Sequence, residues 1–464
     1  MSVRTDFEAQ DDTSALRALF QTIDFTGGAV VAISGGSDST ALLLLLKRYL
    51  ASLSPTPKLL AVTVDHALRA DSAAEANAVA RLCAEHGIAH RIMMWSGPKP
   101  ASGLAAAARD ARYRLLAQAA HEAGLGSILT GHTADDQAET VLMRQARGDG
   151  RPDTGRGLAG MAPAALYDGH VWILRPFLDV RRHWLRERLR AMQIGWIDDP
   201  SNEDLRFERP RVRSRLEGND NAVVQALDQA AQAGRERVDL GHRAAHLIES
   251  HARQPTPGLL RLDPAFAAGN DDAVVYALRI LLATVGGSPF LPDGARVAAL
   301  LHRLRAGPLR ATLSRSVIDS RRAGIFIFRE ARSLPAPVTA AGAMLWDGRR
   351  HITFGNADDG FLIAPLGVAA GAFPDCEKCD GIPASLVRKA NQAEPAVWHE
   401  NLCLGPVFAG VSAAVAWPIA APWARLLPAF DLAPASAVAA LIGAPSVPHP
   451  PFSGHIASGS SSKA

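Results

Sequence analysis

The sequence predicts an α/β protein with a doubly wound parallel sheet, followed by a mostly helical domain and a smaller C-terminal α+β region. An apolar strand at residues 30–33 runs into a loop of glycine and hydroxyl residues and then into a helix-forming stretch. Strand and helix patterns alternate four times before residue 145, which favours parallel strands joined by helical crossovers. The pattern is largely helical over residues 221–283, and beyond about residue 334 it is rich in Pro, Gly and Ala. We therefore expect four segments, at residues 1–215, 216–333, 334–450 and 451–464, the last of them a disordered tail.

The elements of the predicted sheet follow one another in a regular order. Runs of β-branched and aliphatic residues predict strands, and Ala-rich runs with apolar residues three or four apart predict helices. The predicted strands are Val30–Ile33, Lys58–Asp65, Ile88–Met94, Ser127–Thr130 and Val171–Leu174. The predicted helices are Asp12–Phe25, the stretch from Ala41, Ala70–Gly87, Ser102–Ala123 and Asp179–Met192. Gly124 marks a helix end, because glycine readily adopts the left-handed conformation that closes a helix.

The loop after the first strand reads Ser-Gly-Gly-Ser-Asp-Ser-Thr, at residues 34–40. Gly35 and Gly36 let the backbone approach a bulky anion, and the N–H groups at the start of the next helix point towards it. The hydroxyl donors are Ser34, Ser37, Ser39 and Thr40. The pattern predicts a phosphate-binding loop, and the simpler alternative is a Gly-Ser turn in which Ser39 caps the helix.

This loop differs from a Walker A loop, in which a lysine reaches the β- and γ-phosphates. The first lysine after it is Lys47, well inside the helix, and an acid, Asp38, lies in the loop instead. An acid beside a polyphosphate is reasonable when Mg²⁺ lies between them. The sequence therefore predicts a nucleotide site with Asp38 among the metal ligands.

Three segments that follow strands are expected at one edge of the sheet, because ligands of such sheets bind beyond the carboxyl ends of the strands. They are the loop at 34–40, Asp65–Arg69 and Asp135–Glu139. On a helix, Asp135, Asp136 and Glu139 lie on nearly one face. Arg109 and Arg112 also share a helix face, and Arg109 lies within about two turns of the predicted helix start. Helix capping and surface ion pairs are the alternatives for these charges.

Composition and targeting signals narrow the function classes. The net charge of +3 is small, and the four cysteines are too unevenly placed for a disulfide framework. The acidic N-terminus lacks the apolar segment of a signal peptide, so we expect a cytoplasmic protein without a membrane partner. Leu402–Ala424 is long enough to span a bilayer, but its three prolines predict buried strand and loop instead. Cys376 and Cys379 form a lone CxxC pair, and we predict no metal there because two further patterned ligands are missing.

The segment SGGSDST at 34–40 resembles the phosphate loop of the N-type ATP pyrophosphatases, also called the PP-loop family. Further segments narrow the resemblance: VDHALR at 64–69, GLAAAARDARY at 103–113, TGHTADDQAET at 130–140, RPFL at 175–178, and DPSN at 199–202 with an arginine cluster after it. In this order they resemble the bacterial tRNA(Ile)-lysidine synthase family, over residues 30 to about 215, slightly under half of the chain. Two positions depart from that family. Thr133 stands where histidine is usual, and Pro210 where an asparagine associated with a tRNA contact is expected.

The resemblance implies a Rossmann-like PP-loop sheet and a ligase reaction. ATP would adenylate the C2 oxygen of the wobble cytidine, at position 34, in tRNA(Ile) with a CAU anticodon. The amine of free L-lysine would then displace AMP and leave lysidine. The implied cofactors are ATP and Mg²⁺, and the sequence leaves homodimer formation open.

The resemblance and the residue chemistry together assign expected roles. The phosphates would be held by Ser34, Gly35, Gly36, Ser37, Asp38 and Ser39. Asp38 with Asp136, or with Asp135, would hold Mg²⁺. Arg109 and Arg112 would clamp the α-phosphate or tRNA phosphates, since arginine suits bidentate contact.

The remaining candidates are less patterned. His132 would bind the nucleotide or the target base, with a packed histidine as the alternative. Glu139 would accept the lysine ammonium or take its proton, because the attacking nitrogen must be neutral. Arginines within 181–215 and 303–322 would grip RNA phosphates, unless they belong to solvated helix faces. The Gly/Arg-rich stretch from Arg147 is either a substrate-gripping segment or a solvated insertion.

Two other functions remain open on the sequence. A tRNA thiolase of the same family needs cysteines near the loop, and this half of the chain has only Cys83, inside a predicted helix. A non-catalytic ATP-binding module would leave the acids, the arginines and the basic extension unexplained.

Overall fold

A computed structural model of the chain describes residues 12–69, 71–148, 154–198, 204, 206–269, 272–354, 360–371, 381–409 and 414–453. The chain divides into two compact units, residues 1–235 with 448–464, and residues 236–447. The four segments expected from the sequence stay a prediction. Cys376, Cys379, the DPSN segment and residues 149–153 of the Gly/Arg-rich stretch lie outside the described residues.

The first unit is an α/β structure with a mainly parallel sheet. Its strands are β1 (Ala29–Ala32), β2 (Leu59–Asp65), β3 (Ala89–Met94), β4 (Ser127–Leu129), β5 (Ala164–Tyr167) and β6 (Val171–Leu174). Its helices are α1 (Asp12–Phe20), α2 (Ser37–Leu50), α3 (Ser72–Glu85), α4 (Leu104–Ala123), α5 (Ala134–Arg147), α6 (Thr154–Leu158), α7 (Arg182–Ala191), α8 (Glu208–Leu216) and the first part of α9 (Asp220–His251). Within the unit the strand order is β5-β6-β4-β1-β2-β3, and only the β5–β6 pair is antiparallel. The predicted parallel α/β fold is confirmed.

The centre of this sheet is fully covered, which fixes the loop that follows β1. All four residues of β1 are buried, as expected for a parallel strand with helices on both faces. Helix α2 contributes Leu42, Leu43 and Leu46, which are completely buried. The end of β1 and the start of α2 are therefore held by the core, and the residues between them lie at the carboxyl edge of the sheet.

Helix α5 is held from the other side by a second apolar cluster. Ala134, Ala138 and Val141 pack with Leu216 of α8 and Val223 of α9. The acids of α5 lie on its other face, and Arg209 and Arg213 of α8 reach Glu139 there.

Three local predictions for the first unit are wrong in detail. Helix α1 ends at Phe20 rather than Phe25, because Ile23 forms a β-bridge with Phe452. Helix α2 begins at Ser37 rather than Ala41. Strand β5 was not expected, since its sequence Ala-Ala-Leu-Tyr shows no alternation. The bridge to Phe452 joins residues more than 400 positions apart, so no local pattern reports it.

The second unit mixes helices with short antiparallel strands. Its strands are β7 (Ala252–Thr256), β8 (Leu259–Leu262), β9 (Leu309–Leu313), β10 (Ser316–Arg321), β11 (Gly324–Arg329), β12 (Val338–Thr339), β13 (Ala343–Trp346), β14 (Arg350–Phe354), β15 (Phe361–Pro365), β16 (Pro395–His399), β17 (Leu402–Pro406), β18 (Ala414–Pro418) and β19 (Leu426–Pro428). Besides the rest of α9, its helices are α10 (Asp272–Gly286), α11 (Gly294–Ala306), α12 (Ala384–Gln392) and α13 (Leu432–Ile442). Three sheets lie within it, ordered β7-β8-β11-β10-β9, β12-β15-β16-β17 and β13-β14-β18.

The hairpin of β7 and β8 interrupts the region that was expected to be largely helical. Its turn contains Pro257 and Gly258, and Gly258 has a φ of +78°. A side chain there would collide with Glu394, so glycine is required at this turn. The Pro-Gly pair is a local turn signal that the helical interpretation passed over.

The stretch Leu402–Ala424 contains strands, as predicted, but not all of it is buried. Leu402 is 65% exposed and Val415 is 64% exposed. Among the described residues, no helix is long and apolar enough to cross a membrane.

Several arginines in 303–322 are engaged inside this unit. Arg321 pairs with Asp319 at 2.7 Å, and Arg315 pairs with buried Asp347. Arg305 donates to a backbone carbonyl at 2.7 Å. These three side chains therefore have intramolecular partners, and RNA binding by the cluster stays a prediction.

Candidate active site

The loop between β1 and α2 has an extended entry and a tight, left-handed glycine. Gly35 has a φ of +85°, and a Cβ there would lie 2.7 Å from the side chain of Ile197. The Ser34 backbone N–H donates to the Ser39 hydroxyl at 3.2 Å, and that hydroxyl donates to the Gly36 carbonyl at 3.1 Å. The N-cap of α2 is Gly36 and makes no side-chain cap hydrogen bond. The alternative in which Ser39 caps the helix is therefore wrong.

The start of α5 lies against this loop. Thr133 is the N-cap, and it forms a reciprocal capping box with Asp136: the Thr133 backbone N–H donates to Asp136 Oδ2 at 2.8 Å. A Cβ on Gly131 would lie 2.8 Å from the backbone carbonyl oxygen of Asp38. The two strand-end segments therefore meet through their backbones, and only glycine fits at position 131.

Arg182, the first residue of α7, connects the acids of the two segments. Its Nε lies 2.8 Å from Asp38 Oδ2, and its Nη2 lies 2.8 Å from Asp136 Oδ1. Its backbone N–H donates to Asp135 Oδ2 at 2.7 Å. Asp135 also accepts from Arg181 at 3.2 Å. Three of the acids expected at this edge thus converge on one arginine.

Glu139 lies deepest among these acids, with its side chain 1% exposed. Arg209 and Arg213 of α8 donate to its two carboxylate oxygens at 2.6 and 2.7 Å. Arg209 also reaches Asp136 at 2.8 Å. These contacts favour an anchoring role for Glu139, while its role towards lysine stays a hypothesis.

The charges of this acidic cluster (Asp38, Asp135, Asp136 and Glu139) are unequally compensated. Burial raises the pKa of Asp38, and the charge of Asp136 adds to that rise, although Arg182 opposes it. Burial also acts to raise the pKa of Asp136, but Arg182 and Arg209 outweigh burial and hold it below its ordinary value. Of these two acids, Asp38 therefore gains more from a further cation.

A cavity of about 420 Å³ lies beside the loop. Ser34 and Gly36 line it, together with apolar side chains from the neighbouring strands and helices and seven charged or polar side chains. The apolar set includes Ile33, Val62, Val64, Leu116 and Ile197. The charged and polar side chains are Thr63, Asp65, His66, Arg69, Ser72, Glu75 and Arg112. The four acids of the acidic cluster are not among the residues that line this cavity.

The two predicted arginines of α4 differ in surroundings. Arg112 lines the cavity and has no carboxylate partner among the residues that the structure describes. Burial, with help from neighbouring Arg109, lowers its pKa. Arg109 is exposed, and its guanidinium lies 5.1 Å from the centre of the Tyr113 ring. Arg112 is the cation best placed to meet an anion in the cavity.

His132 lies between the loop and β6. Its Nδ1 is 2.9 Å from the Thr130 hydroxyl. Burial and the charge of Arg175 lower its pKa to about 3, despite Asp136 nearby. It is therefore neutral near pH 7 and is available for hydrogen bonding rather than for holding a charge.

Four arginines within residues 181–215 have acids of this site as partners. Arg181, Arg182, Arg209 and Arg213 were expected to grip RNA phosphates, but they pair with the acidic cluster. Three acids close to one helix start require a cation nearby. That requirement was the feature of the sequence that could have pointed to arginine partners for these acids. Among the described residues, no group of three or more His, Cys, Asp or Glu side chains is arranged to hold a metal ion.

Comparisons with known proteins agree with this geometry. A family model described as the PP-loop domain matches residues 10–219. The sheet, the loop and this match make the chain a PP-loop protein, of a family that uses ATP.

Curated relatives narrow the family further. The tRNA(Ile)-lysidine synthase of Mesorhizobium japonicum is 57% identical over 95% of this chain and 97% of that protein. That of Brucella melitensis biotype 2 is 44% identical over 73% of this chain and 76% of that protein. A solved U34-tRNA thiolase from Methanococcus maripaludis shares 18% identity and a TM-score of 0.41, over 48% of this chain and 77% of that chain. That likeness is too low to bear on function. The chain belongs to the tRNA(Ile)-lysidine synthase family, a family of enzymes.

Proposed function

We propose that this enzyme ligates free L-lysine to C2 of the cytidine at position 34 in tRNA(Ile) with a CAU anticodon. ATP adenylates the C2 oxygen with release of pyrophosphate, and the lysine amine then displaces AMP. The arrangement of the 34–40 loop carries this proposal: its Ser34 and Gly36 line the cavity, and its Asp38 contacts Arg182, which also contacts Asp136 of α5. A triphosphate that crosses the loop would have its nucleoside on one side and its leaving group on the other.

The cavity suits the nucleoside end of ATP. Ile33, Val62 and Leu116 offer apolar surface for a base, while backbone N–H groups of the loop and of the α2 N-terminus face the phosphates. Arg112 is placed for the α-phosphate, where the new bond to the cytidine oxygen forms. Exposed Arg109, one turn earlier, is suited to an RNA phosphate.

The acidic cluster fits Mg²⁺ at Asp38 better than at Asp136. Asp38 receives one protein donor on each oxygen, Ser37 Oγ at 3.0 Å and Arg182 Nε at 2.8 Å. Each oxygen of Asp136 already receives two donors, so Asp136 can ligate a metal only after an arginine withdraws. We propose Asp38 as the primary ligand and Asp136 as the second. When bound there, Mg²⁺ would neutralise charge on the departing pyrophosphate.

The remaining candidates are His132, for the target base, and Glu139, for the lysine amine. Neutral His132 can accept or donate a hydrogen bond to the target base without adding charge. The lysine amine must lose its proton before attack. Both carboxylate oxygens of Glu139 already accept hydrogen bonds from arginines, so we do not propose Glu139 as the acceptor of that proton.

The decisive test is incubation of the full chain with ATP, labelled lysine and the candidate tRNA, followed by nucleoside analysis. We expect labelled lysidine and equimolar AMP and pyrophosphate. The matched control is the same tRNA with uridine at position 34, which must stay unlabelled. Labelling of that control, or AMP formation without tRNA modification, would contradict the proposal and favour another PP-loop activity.

A further inference from the structure

Arg182 joins two carboxylates that come from distant parts of the chain. Asp38 belongs to the start of α2 and Asp136 to the start of α5, and the Arg182 guanidinium lies 2.8 Å from each. A third contact, from its backbone N–H to Asp135, ties the start of α7 to the same place. The side chain is only 16% exposed, so water screens these contacts weakly.

The packing of α7 limits where Arg182 can go. Trp184, Leu185 and Leu189 of this helix are buried. Arg182 therefore starts from an anchored backbone, and its donors are directed at the acids by the fold. Arg209 differs, because its side chain is 43% exposed and it reaches Asp136 from α8. Of the two arginines on Asp136, Arg209 is the one that can withdraw more easily.

Without a cation between them, Asp38 and Asp136 would repel each other. Like charges at short range in a partly buried site disfavour the arrangement in which both are ionised. A guanidinium can satisfy two separate acceptors with different nitrogens, whereas a lysine ammonium is a single point of charge. The contact geometry of Arg182 uses this difference, with Nε on one acid and Nη2 on the other.

We propose that Arg182 is a positioning residue for the metal–nucleotide site. It holds Asp38 and Asp136 at the spacing that Mg²⁺ and the ATP phosphates need, and it acts through these carboxylates without touching the nucleotide. This inference rests on the proposed function, since it presupposes that ATP binds with Mg²⁺ at this loop.

The test measures the dissociation constant of a non-hydrolysable ATP analogue for the full chain, once with Mg²⁺ and once with EDTA. We expect Arg182→Met to weaken binding at least about thirtyfold with Mg²⁺, the low end for removing one member of a hydrogen-bonded charge pair. With EDTA we expect a change of less than about twofold, because no ligand pair is then needed. Arg182→Lys should fall between the two proteins with Mg²⁺, since it restores charge but not the bridge.

A matched control lies on the same helix. Arg190 is exposed, and its guanidinium is 5.6 Å from the Trp196 ring centre, away from the acids. Arg190→Met should bind the analogue as the parent protein does in both conditions. In an Asp38→Asn background, Arg182→Met should add no further loss if Arg182 acts through Asp38.

Each other outcome has a definite meaning. Equal weakening with Mg²⁺ and EDTA would show that Arg182 touches the phosphates directly, and the inference would be wrong. Unchanged binding by Arg182→Met, or full additivity with Asp38→Asn, would also overturn it. If Arg182→Met does not fold, Arg182→Lys decides, and parent-like binding with Mg²⁺ refutes the inference. Failure of the parent protein to bind the analogue would instead contradict the proposed function.

Discussion

Asp38→Asn removes the one acid of the loop while keeping its shape. In the structure Asp38 accepts one hydrogen bond from Ser37 and one from Arg182, and its side chain is 18% exposed. An asparagine can keep one of these contacts through its carbonyl oxygen, so we expect the fold to tolerate it. The change removes the proposed primary Mg²⁺ ligand, and with it the cation that would neutralise charge on the leaving pyrophosphate. Loss of one such electrostatic contribution typically slows the chemical step by about 10² to 10³.

We therefore expect pyrophosphate release to fall by about two to three orders of magnitude in Asp38→Asn. Affinity for the tRNA should change by less than about twofold, because Asp38 is paired with Arg182 and its side chain is only 18% exposed. Pyrophosphate release is measured in single turnover, and tRNA affinity by filter binding at fixed salt. A loss of less than about tenfold in rate, or an equal loss of tRNA affinity, would refute the reasoning.

Three further predictions concern the neighbouring charges. Glu139→Gln should lower the free energy of unfolding in urea by about 1.5–3 kcal/mol, the range for hydrogen bonds to charged groups, because it removes the charge that pairs with Arg209 and Arg213, whose side chains are 43% and 34% exposed and can still be solvated; a change below about 0.5 kcal/mol would show that the ion pairs are not needed. His132→Asn should make the free energy of unfolding less sensitive to acid. The pKa of His132 is about 3 in the folded protein and 6.5 in the unfolded chain, so the unfolded chain binds the proton first as the pH falls. Through this group the parent protein therefore loses stability below pH 6.5 and keeps it above pH 6.5. Urea unfolding at about pH 7 and about pH 5 checks this, and parallel pH curves for the two proteins would contradict it. Replacing exposed Arg211 and Arg215 together by alanine should reduce the salt slope of tRNA binding by roughly 1.5 and leave binding of the ATP analogue unchanged, whereas an unaltered slope would place RNA elsewhere.

The sequence predicts the sheet and the loop because both are local patterns. Apolar runs such as that of β1 and the glycine pair at 35–36 carry their structural meaning within a few residues. The meeting of the loop with the start of α5 is also predictable, since parallel strands end at the same edge of a sheet. Even the capping box can be found from Thr133 and Asp136, three residues apart.

The partners of the arginines could not be predicted in the same way. Arg182 lies 144 positions from Asp38, and nothing near it in the sequence distinguishes it from a solvated helix arginine. On α8, Arg209 and Arg213 face the acids while Arg211 and Arg215 are exposed. That division depends on the packing of Leu216 and Ala138, which is a tertiary property. The sequence therefore shows where the arginines are, but it does not show which of them pair with acids and which face solvent.

Gly131 has a consequence for how variants of this site can be interpreted. Its missing side chain lets the main chain of one strand end touch the carbonyl of Asp38. The approach of these two backbones is consequently set by the main chain, whereas the spacing of the Asp38 and Asp136 carboxylates also depends on Arg182. Substitutions at Asp38 or Asp136 are therefore expected to alter the electric field at the site while the two backbones stay in contact.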